Sequence, residues 1–391
     1  MTIQLFVPTF DVENCLKEVR ECLDKGWTGL GFKTDRFEAA WKTYTGLPHA
    51  HFVNSATSGL HLALDVFMNE GGWNHGDEVL TTPLTFVSTN HAILYAGLEP
   101  VFVDVDEHLC LDPNDLLRKI TPHTRAAIFV GLGGNTGRFE RVREICRQKG
   151  LVLLLDAAHM AGTRLHGETP RADVSVYSFQ AVKNLPTADS GMICFADERL
   201  DAIARKKSWL GINRNTYERA SDGSAYKWRY DVEYVGFKYH GNSIMAAIGL
   251  AQLPHLDSDN DRRRAIAARY EAGFSRNKRI ELIPTPNGCL SARHLYQVGV
   301  DRRDEVLNSL AGRGINAGVH YRNNLDYPMF AAHRLTCPRA SRQSERLLSL
   351  PLHLRLTDAE VERVIDALND CTLGEAHGER IDDGLARSTS A

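Results

Sequence analysis

The segment "EVLTTPLTFVSTNHAILYAGLEPVFVDVD", residues 78–106, decides the fold class of this chain. Two short apolar runs, 78–82 and 100–106, have the residue types of β-strands, and the stretch 88–97 between them has the pattern of a helix. Two such strands separated by a helix are typical of a parallel β-α-β unit.

The same alternation continues along the chain. It predicts helices over 57–67, 113–120 and 138–150, and strands over 124–132 and 151–158. The strands are apolar without alternation, as is usual when helices cover both faces of a parallel sheet. We therefore expect an α/β fold with a mostly parallel sheet flanked by helices.

Shorter elements flank this region. We expect an amphipathic helix over 12–25 and a second helix from Thr34, as N-cap, to Gly46. A long helix follows from about 243 to 253 and then resumes, and the region 279–370 has the pattern of a smaller α+β unit. The predicted divisions are an N-terminal arm and helix (1–25), a large domain (26–250), a small C-terminal domain (251–372) and a polar, disordered tail (373–391).

Composition excludes several classes of protein. The 391 residues carry a formal net charge of −3, so no overall field favours nucleic acid or an acidic membrane. The eight cysteines are scattered without a C-x-x-C pair, which argues against a disulfide framework or a metal site and fits the cytoplasm. Early acidic residues argue against a signal peptide, and no apolar run could span a bilayer.

A single lysine stands between two apolar runs in "VSVYSFQAVKNLPTADSGMICF", residues 174–195. Lys183 lies among residues that break regular structure, Asn184, Pro186 and Thr187. A lysine in a turn is usually solvated, because its charge is costly to bury. A functional role for Lys183 therefore depends on what the neighbouring strand ends carry.

Chemically useful side chains follow several of the predicted strands, where ligands gather in doubly wound sheets. Asp156 comes directly after five apolar residues, so it is either a structural salt-bridge partner or a buried acid facing a cation. Ser55, Thr57 and Ser58 open a helix, where they either cap it or bind a phosphate.

Two more residues extend this set. Phe86 either packs in the core or offers its face to a ring, and Ser178 is placed to be a second phosphate ligand. An amine, a buried acid, a phosphate cradle and an aromatic platform together fit pyridoxal 5′-phosphate (PLP). Its aldehyde forms an imine with an amine, and its ring nitrogen needs an acid to stay protonated. The imine would explain why Lys183 stands at this position.

Six segments closely resemble, in order, the blocks of the DegT/StrS-type nucleotide-sugar aminotransferases, which have the aspartate-aminotransferase-like fold (fold type I of the PLP enzymes). The resemblance covers about residues 5 to 370. The segments are "GWTGLGFKTDRFEAAWKTYTG", "NSATSGLHLAL", "TTPLTFVSTNHAILYAGLEPVFVDVD", "LLDAAHMAGT", "SFQAVKNLPTADSGMI" and "GFKYHGNSIMAAIGLAQL".

The resemblance implies a role for each site residue. It implies that Lys183 forms the imine, that Asp156 pairs with the pyridinium nitrogen, and that His159 neighbours the 3-oxygen of the coenzyme. It further implies that Phe86 stacks on the ring. The phosphate ligands implied are Thr57, Ser58 and Ser178, and Ala56 is a further residue expected to bind the coenzyme.

Three places bear on substrate and partner. Relatives with histidine in place of Lys183 are sugar dehydratases, so Lys183 argues against that branch. The family's "GYNYRM" is "GFKYHG" here, which leaves Lys238, His240 or Asn242 to make the contact from the neighbouring subunit. "FVGLGGN" replaces "PVHLYG", and we expect a roomier, more flexible wall there.

Substrate contacts are expected from His320 and Tyr321, at the family's "VHY" segment, and from Lys33, which could meet a diphosphate. The family's active site lies between two subunits of a homodimer. The aromatic-rich loop 209–242 is accordingly expected to reach across the two-fold interface. The alternative is that this loop covers its own subunit.

The function that the resemblance implies is transfer of an amino group from L-glutamate, through pyridoxamine 5′-phosphate (PMP), to a keto-sugar. A nucleotide-linked 3- or 4-keto hexose is the expected acceptor, in amino-sugar biosynthesis. One alternative acceptor is a free keto-cyclitol or keto-sugar phosphate. Another alternative is a non-catalytic PLP-binding regulator, against which the Lys183–Asp156 pair argues, because a binder needs no electron sink.

Overall fold

Strands and helices alternate along the N-terminal half of the chain. A computed structural model describes residues 2–213, 217 and 229–373. The strands up to residue 195 are β1 (His51–Val53), β2 (Glu78–Thr81), β3 (Glu99–Phe102), β4 (Thr124–Val130), β5 (Val152–Asp156), β6 (Arg164–Leu165), β7 (Val174–Ser178) and β8 (Gly191–Phe195). The helices are α1 (Val12–Asp24), α2 (Phe32–Thr45), α3 (Ala56–Gly71), α4 (Ser88–Tyr95), α5 (Pro113–Lys119), α6 (Phe139–Lys149) and α7 (Glu198–Ser208).

Seven of these strands form one sheet in the order β1-β8-β7-β5-β4-β2-β3. The pairings from β7 through β5, β4 and β2 to β3 are parallel, whereas β8 runs antiparallel to both β7 and β1. The predicted mostly parallel sheet is confirmed. Because all strands of this sheet except β8 point the same way, their carboxyl ends meet at one edge.

Apolar side chains fill both faces of this sheet. One buried cluster contains Phe37, Trp41 and Phe129, and a second contains Leu62 and Ile128. Ile128 and Phe129 are neighbours on β4 and belong to opposite clusters, because side chains alternate along a strand. Burial on both faces explains why these strands read as continuous apolar runs.

A smaller antiparallel sheet lies in the C-terminal part over its own apolar cluster. Its strands lie in the order β12 (Leu347–Leu350), β11 (Tyr296–Val300) and β9 (Ile280–Leu282). The chain start joins this unit, since the Ile3 N–H donates to the Gly314 carbonyl at 2.8 Å. The domain boundaries remain predictions, and residues 374–391 of the expected tail lie outside the described residues. The elements here are α8 (Ser243–Gln252), α9 (Leu256–Phe274), β9 (Ile280–Leu282), β10 (Cys289–Leu290), β11 (Tyr296–Val300), α10 (Arg303–Gly312), α11 (Pro338–Arg346), β12 (Leu347–Leu350) and α12 (Asp358–Leu373).

Several predicted element ends differ from the structure. Thr34 does not cap α2 but lies inside its first turn, where its hydroxyl accepts from the Gly31 N–H at 3.0 Å. The strand predicted over 100–106 ends at residue 102, and beyond it the Asp104 N–H donates to the Asp115 carboxylate at 2.7 Å instead of to a neighbouring strand. No helix in the described part of the chain is long and apolar enough to cross a bilayer.

Candidate active site

A cavity of about 470 Å³ opens at the carboxyl edge of the large sheet. Its walls come from the ends of several strands, from the start of α3 and from the segment before β12. The predicted site residues that line it are Ala56, Thr57, Phe86, Asp156, His159, Ser178, Lys183, His320 and Tyr321. Residues far apart in the sequence therefore meet in one place.

Lys183 lies in the turn between β7 and β8. The turn is fixed by Asn184, whose side-chain amide donates to Asn260 Oδ1 and to the Ala292 carbonyl, each at 2.7 Å. Burial lowers the pKa of the Lys183 amine to about 8, although the nearby Asp156 carboxylate opposes the shift. At a pH near 8 a large fraction of the Lys183 amine is therefore neutral, as a nucleophile or a proton acceptor must be.

Asp156 is the last residue of β5 and is almost fully buried. Its Oδ2 accepts from the Thr89 hydroxyl at 2.7 Å, and its Oδ1 accepts from the Ala158 N–H at 3.1 Å. Burial raises the pKa of this carboxyl, while the two hydrogen bonds and the charge of Lys183 act in the opposite direction. A buried carboxylate on a cavity wall favours a positively charged partner in the cavity.

His159 is a neutral hydrogen-bond donor. Its Nδ1 accepts from the Gly133 N–H at 3.2 Å, so the proton of the neutral ring is on Nε2. Nε2 lies 3.1 Å from the Tyr321 hydroxyl and donates to it. Burial holds the pKa of His159 well below its usual value, and the charges of Lys183 and His320 act in the same direction.

The segment that supplies the Gly133 N–H, 131–135, belongs to the wall that the sequence predicts to be roomier and more flexible than in the family, and this comparison stays a prediction. The segment is buried and packs beneath His159, and the adjoining cavity wall is Val130. Gly133 and Gly134 have left-handed φ angles of 64° and 89°. A Cβ on Gly134 would come within 2.8 Å of Ser291 Oγ, so side chains are excluded from this turn.

The start of α3 and the end of β7 meet at the cavity, where the sequence predicts a phosphate site. Ala56 and Thr57, in the first turn of α3, line the cavity together with Ser178. Backbone N–H groups in a first turn have no helical partner and favour an anion. Ser58 does not line the cavity, since its hydroxyl donates to Asn54 Oδ1 at 2.6 Å, so its predicted phosphate contact is a mistake.

Aromatic side chains form the opposite wall. Phe86 is 56% exposed, and its ring centre lies 5.7 Å from that of Tyr321, with the rings tilted by 52°. The exposed face of Phe86 is available to another ring, as expected for stacking. The neighbouring His320 bonds to Ser349 Oγ at 3.0 Å, and burial lowers its pKa to about 4.

Lys33 lies outside the cavity, contrary to its predicted contact with substrate. It is fully buried, and its amine forms ion pairs of 2.5 Å with Glu18 and Glu21 of α1. Burial alone would lower the pKa of this amine, but the two carboxylates outweigh it and raise the pKa. Lys33 therefore fastens α1 to α2.

The three residues predicted to act from the neighbouring subunit do not line this chain's own cavity. The Lys238 ammonium lies 3.2 Å from the ring centre of Trp209, and the His240 ring packs edge-on against the same indole at 4.5 Å. Asn242 caps α8 by accepting from the Met245 N–H at 3.0 Å. Their contacts with the neighbouring subunit remain predictions.

The loop predicted over 209–242 is described in part, since residues 214–216 and 218–228 lie outside the described residues. At its base, Trp209 bridges to Lys238 in antiparallel fashion. Val232 and Val235 are exposed on the loop.

Sequence reasoning missed several residues of the site. Gln180, Asp189 and Ser190 line the cavity, and their closeness to Lys183 in the sequence could have indicated them. Thr89 and Gly133 hold Asp156 and His159 from distant segments, and no local signal marks them. Among the described residues, no group of three or more histidine, cysteine or acidic side chains could hold a metal ion.

Comparisons with known proteins place this cavity in a family context. A model of the DegT/DnrJ/EryC1/StrS aminotransferase family matches residues 10–369. The spore coat polysaccharide biosynthesis protein SpsC of Bacillus subtilis (strain 168) is 35% identical over 378 residues, which cover 92% of this chain and 94% of SpsC.

Solved structures are similar over nearly the whole chain. The sugar aminotransferase CalS13 from Micromonospora echinospora has a TM-score of 0.84 and 30% identity, covering 94% of this chain and 99% of its own. Spr1654 from Streptococcus pneumoniae has been solved in a PLP form and a PMP form, both 28% identical to this chain. The PLP form has a TM-score of 0.84 and covers 95% of this chain and 99% of its own. The PMP form has a TM-score of 0.83 and covers 94% and 98%.

Proposed function

Because the chain belongs to the DegT/DnrJ/EryC1/StrS aminotransferase family, we propose that it is a PLP-dependent enzyme that transfers an amino group from L-glutamate to a keto-sugar. The observation that carries this proposal is the meeting of Lys183 and Asp156 in one cavity, close enough to influence each other's pKa. CalS13, named as a sugar aminotransferase, and SpsC, named for polysaccharide biosynthesis, support a sugar acceptor.

The residues around the cavity fit PLP. Lys183 offers an amine with a lowered pKa, and Asp156 a buried carboxylate for the ring nitrogen. The first turn of α3 and the Ser178 hydroxyl offer donors to the phosphate, and Phe86 offers an exposed ring face. The PLP and PMP forms of Spr1654 support the same coenzyme here.

When bound, PLP would take the amino group from the donor and pass it to the acceptor. Lys183 would first hold the coenzyme; once freed by the donor, its amine would take the proton from the donor's α-carbon. Asp156 would keep a proton on the ring nitrogen, and His159 would lie beside the 3-oxygen, with its ring held in place by the Tyr321 hydroxyl. Protonation of the freed Lys183 amine would remove its basic lone pair, so we expect activity to fall at low pH.

The expected acceptor is a nucleotide-linked 3- or 4-keto hexose used to make an amino sugar. The subunit is proposed to work as a homodimer with shared sites.

Absorption spectroscopy followed by a substrate screen tests the proposal. Purified protein given PLP should show the absorption band of the bound coenzyme, and L-glutamate should convert it to that of the PMP form. The Lys183→Ala variant should show neither change, while Lys206→Ala, at an exposed lysine paired with Glu233, should behave as wild type. Mass spectrometry should then detect amination of one compound among keto-sugar nucleotides, free keto-sugars and keto-cyclitols. A wild-type protein that binds no PLP would refute the proposal.

A further inference from the structure

A threonine from a distant part of the chain holds the Asp156 carboxylate. Thr89 lies in the first turn of α4, 67 positions before Asp156, and both side chains are buried. The Thr89 Oγ1 is 2.7 Å from Asp156 Oδ2. An ionised carboxylate only accepts hydrogen bonds, so the Thr89 hydroxyl must donate its single proton to Asp156.

A second hydroxyl extends this contact to the cavity. The Thr85 Oγ1 lies 2.9 Å from the Thr89 Oγ1, and Thr85 lines the cavity. Since the Thr89 proton is already used, Thr85 donates to Thr89, and both hydroxyls point their dipoles toward Asp156. The Asn324 side-chain amide fixes Thr85 by donating to its backbone carbonyl at 2.9 Å.

This arrangement favours one protonation state of the acid. A proton taken up on Oδ2 of Asp156 would have to be donated to Thr89, which would reverse the direction of the hydroxyl row, and a proton on Oδ1 would leave Oδ2 a weaker acceptor for Thr89. Burial favours the neutral acid, whereas donors that bond to the carboxylate favour the ionised form. The other hydrogen bond to this carboxylate comes from the Ala158 N–H.

We infer that Thr89 is a positioning residue that keeps Asp156 ionised and turned toward the coenzyme's ring nitrogen. This inference rests on the proposed function, because it assigns Thr89 a task only if PLP binds beside Asp156. The competing explanation is structural: the hydroxyl simply ties α4 to β5.

Three variants separate these explanations. Thr89→Val removes the hydroxyl and keeps the shape, whereas Thr89→Ser keeps the hydroxyl. Thr81→Val is the matched control: Thr81 is equally buried, and its hydroxyl donates to Asn90 Oδ1 of α4 at 2.7 Å.

PLP affinity of the coenzyme-free proteins, measured by fluorescence from pH 5.5 to 9, gives a readout independent of turnover. We expect Thr89→Val to bind PLP roughly ten- to a hundred-fold more weakly, since hydrogen bonds to charged groups have effects of this size. The pH below which PLP binding weakens should also be higher in this variant, because the pKa of Asp156 rises when the Thr89 hydroxyl no longer donates to it. Thr89→Ser should restore both properties, and Thr81→Val should change neither.

If Thr89→Val and Thr81→Val lower the melting temperature alike and share the wild-type affinity and pH profile, the inference is overturned and the structural explanation stands. A wild-type protein that binds no PLP would overturn the proposed function, and this inference with it.

Discussion

The Nε2 atom of His159 and the hydroxyl of Tyr321 lie 3.1 Å apart, although 162 positions separate them in the sequence. His159 follows β5 of the large sheet, while Tyr321 belongs to the C-terminal part of the chain. The contact therefore joins the two parts of the molecule at the cavity. It also gives the Nε2 proton a defined acceptor.

Tyr321→Phe removes this acceptor and keeps the ring beside Phe86. We expect kcat/KM for the glutamate half-reaction to fall about ten-fold, because one buried hydrogen bond has an effect of about 1 to 1.5 kcal/mol. Stopped-flow absorbance would measure it. Tyr327→Phe is the control, since the Tyr327 ring packs on the Arg322 guanidinium and lies outside the cavity lining. Equal rates in the two variants would show that the His159 contact is unimportant.

Asp156→Asn keeps the shape of the side chain and removes its charge. PLP should still bind through the phosphate cradle and Lys183, but the half-reaction should slow by about 10² to 10⁴-fold, because the ring nitrogen loses the group that holds its proton. The matched control is Asp173→Asn, because Asp173 bonds to the Leu153 N–H away from the cavity. A wild-type rate in Asp156→Asn would contradict the assigned role.

The lowered pKa of Lys183 has a consequence for stability in the coenzyme-free protein. The unfolded chain binds this proton with a pKa near 10.5 and the folded chain with a pKa of about 8. Stability should therefore rise with pH between these values, by about 3 kcal/mol from this group.

Lys183→Met removes the cost of burying the charge, so it should stabilise the coenzyme-free protein most below pH 8 and least near pH 10.5. The difference between the melting temperatures of the variant and the wild type, measured across this pH range, gives the size of the effect. A difference that does not change with pH would mean that burial does not lower the pKa of the Lys183 amine.

Shared sites in a homodimer can be tested by mixing variants. Lys183→Ala should be inactive, and Lys238→Ala should be impaired if Lys238 serves the neighbouring subunit. Subunit exchange between the two should restore part of the activity, because some mixed dimers contain one intact site. The control is each variant taken through the same exchange alone. If mixed dimers form but recover no activity, each active site lies within one subunit.

The sequence could predict the centre of the site because strand ends are marked locally. Asp156 ends an apolar run and Lys183 interrupts two others, and parallel strands bring such ends together. Thr89 and Gly133 gave no such signal, because their roles depend on contacts with segments 67 and 26 positions away.

The errors have the same origin. Ser58 follows Thr57 directly, yet its hydroxyl bonds to Asn54 Oδ1 and its side chain does not line the cavity. The predicted substrate contact of Lys33 is wrong because the sequence does not reveal that Glu18 and Glu21 of another helix bind its amine. Both cases needed the packing of whole helices.

The ion pairs of Lys33 make the first helix hard to remove. A version of the chain trimmed to begin after residue 25 would lose both counterions of the Lys33 ammonium and the helix that carries them. The loss of these ion pairs should destabilise the shortened protein. Affinity tags and protease sites are therefore better placed ahead of residue 12 than within the helix that follows.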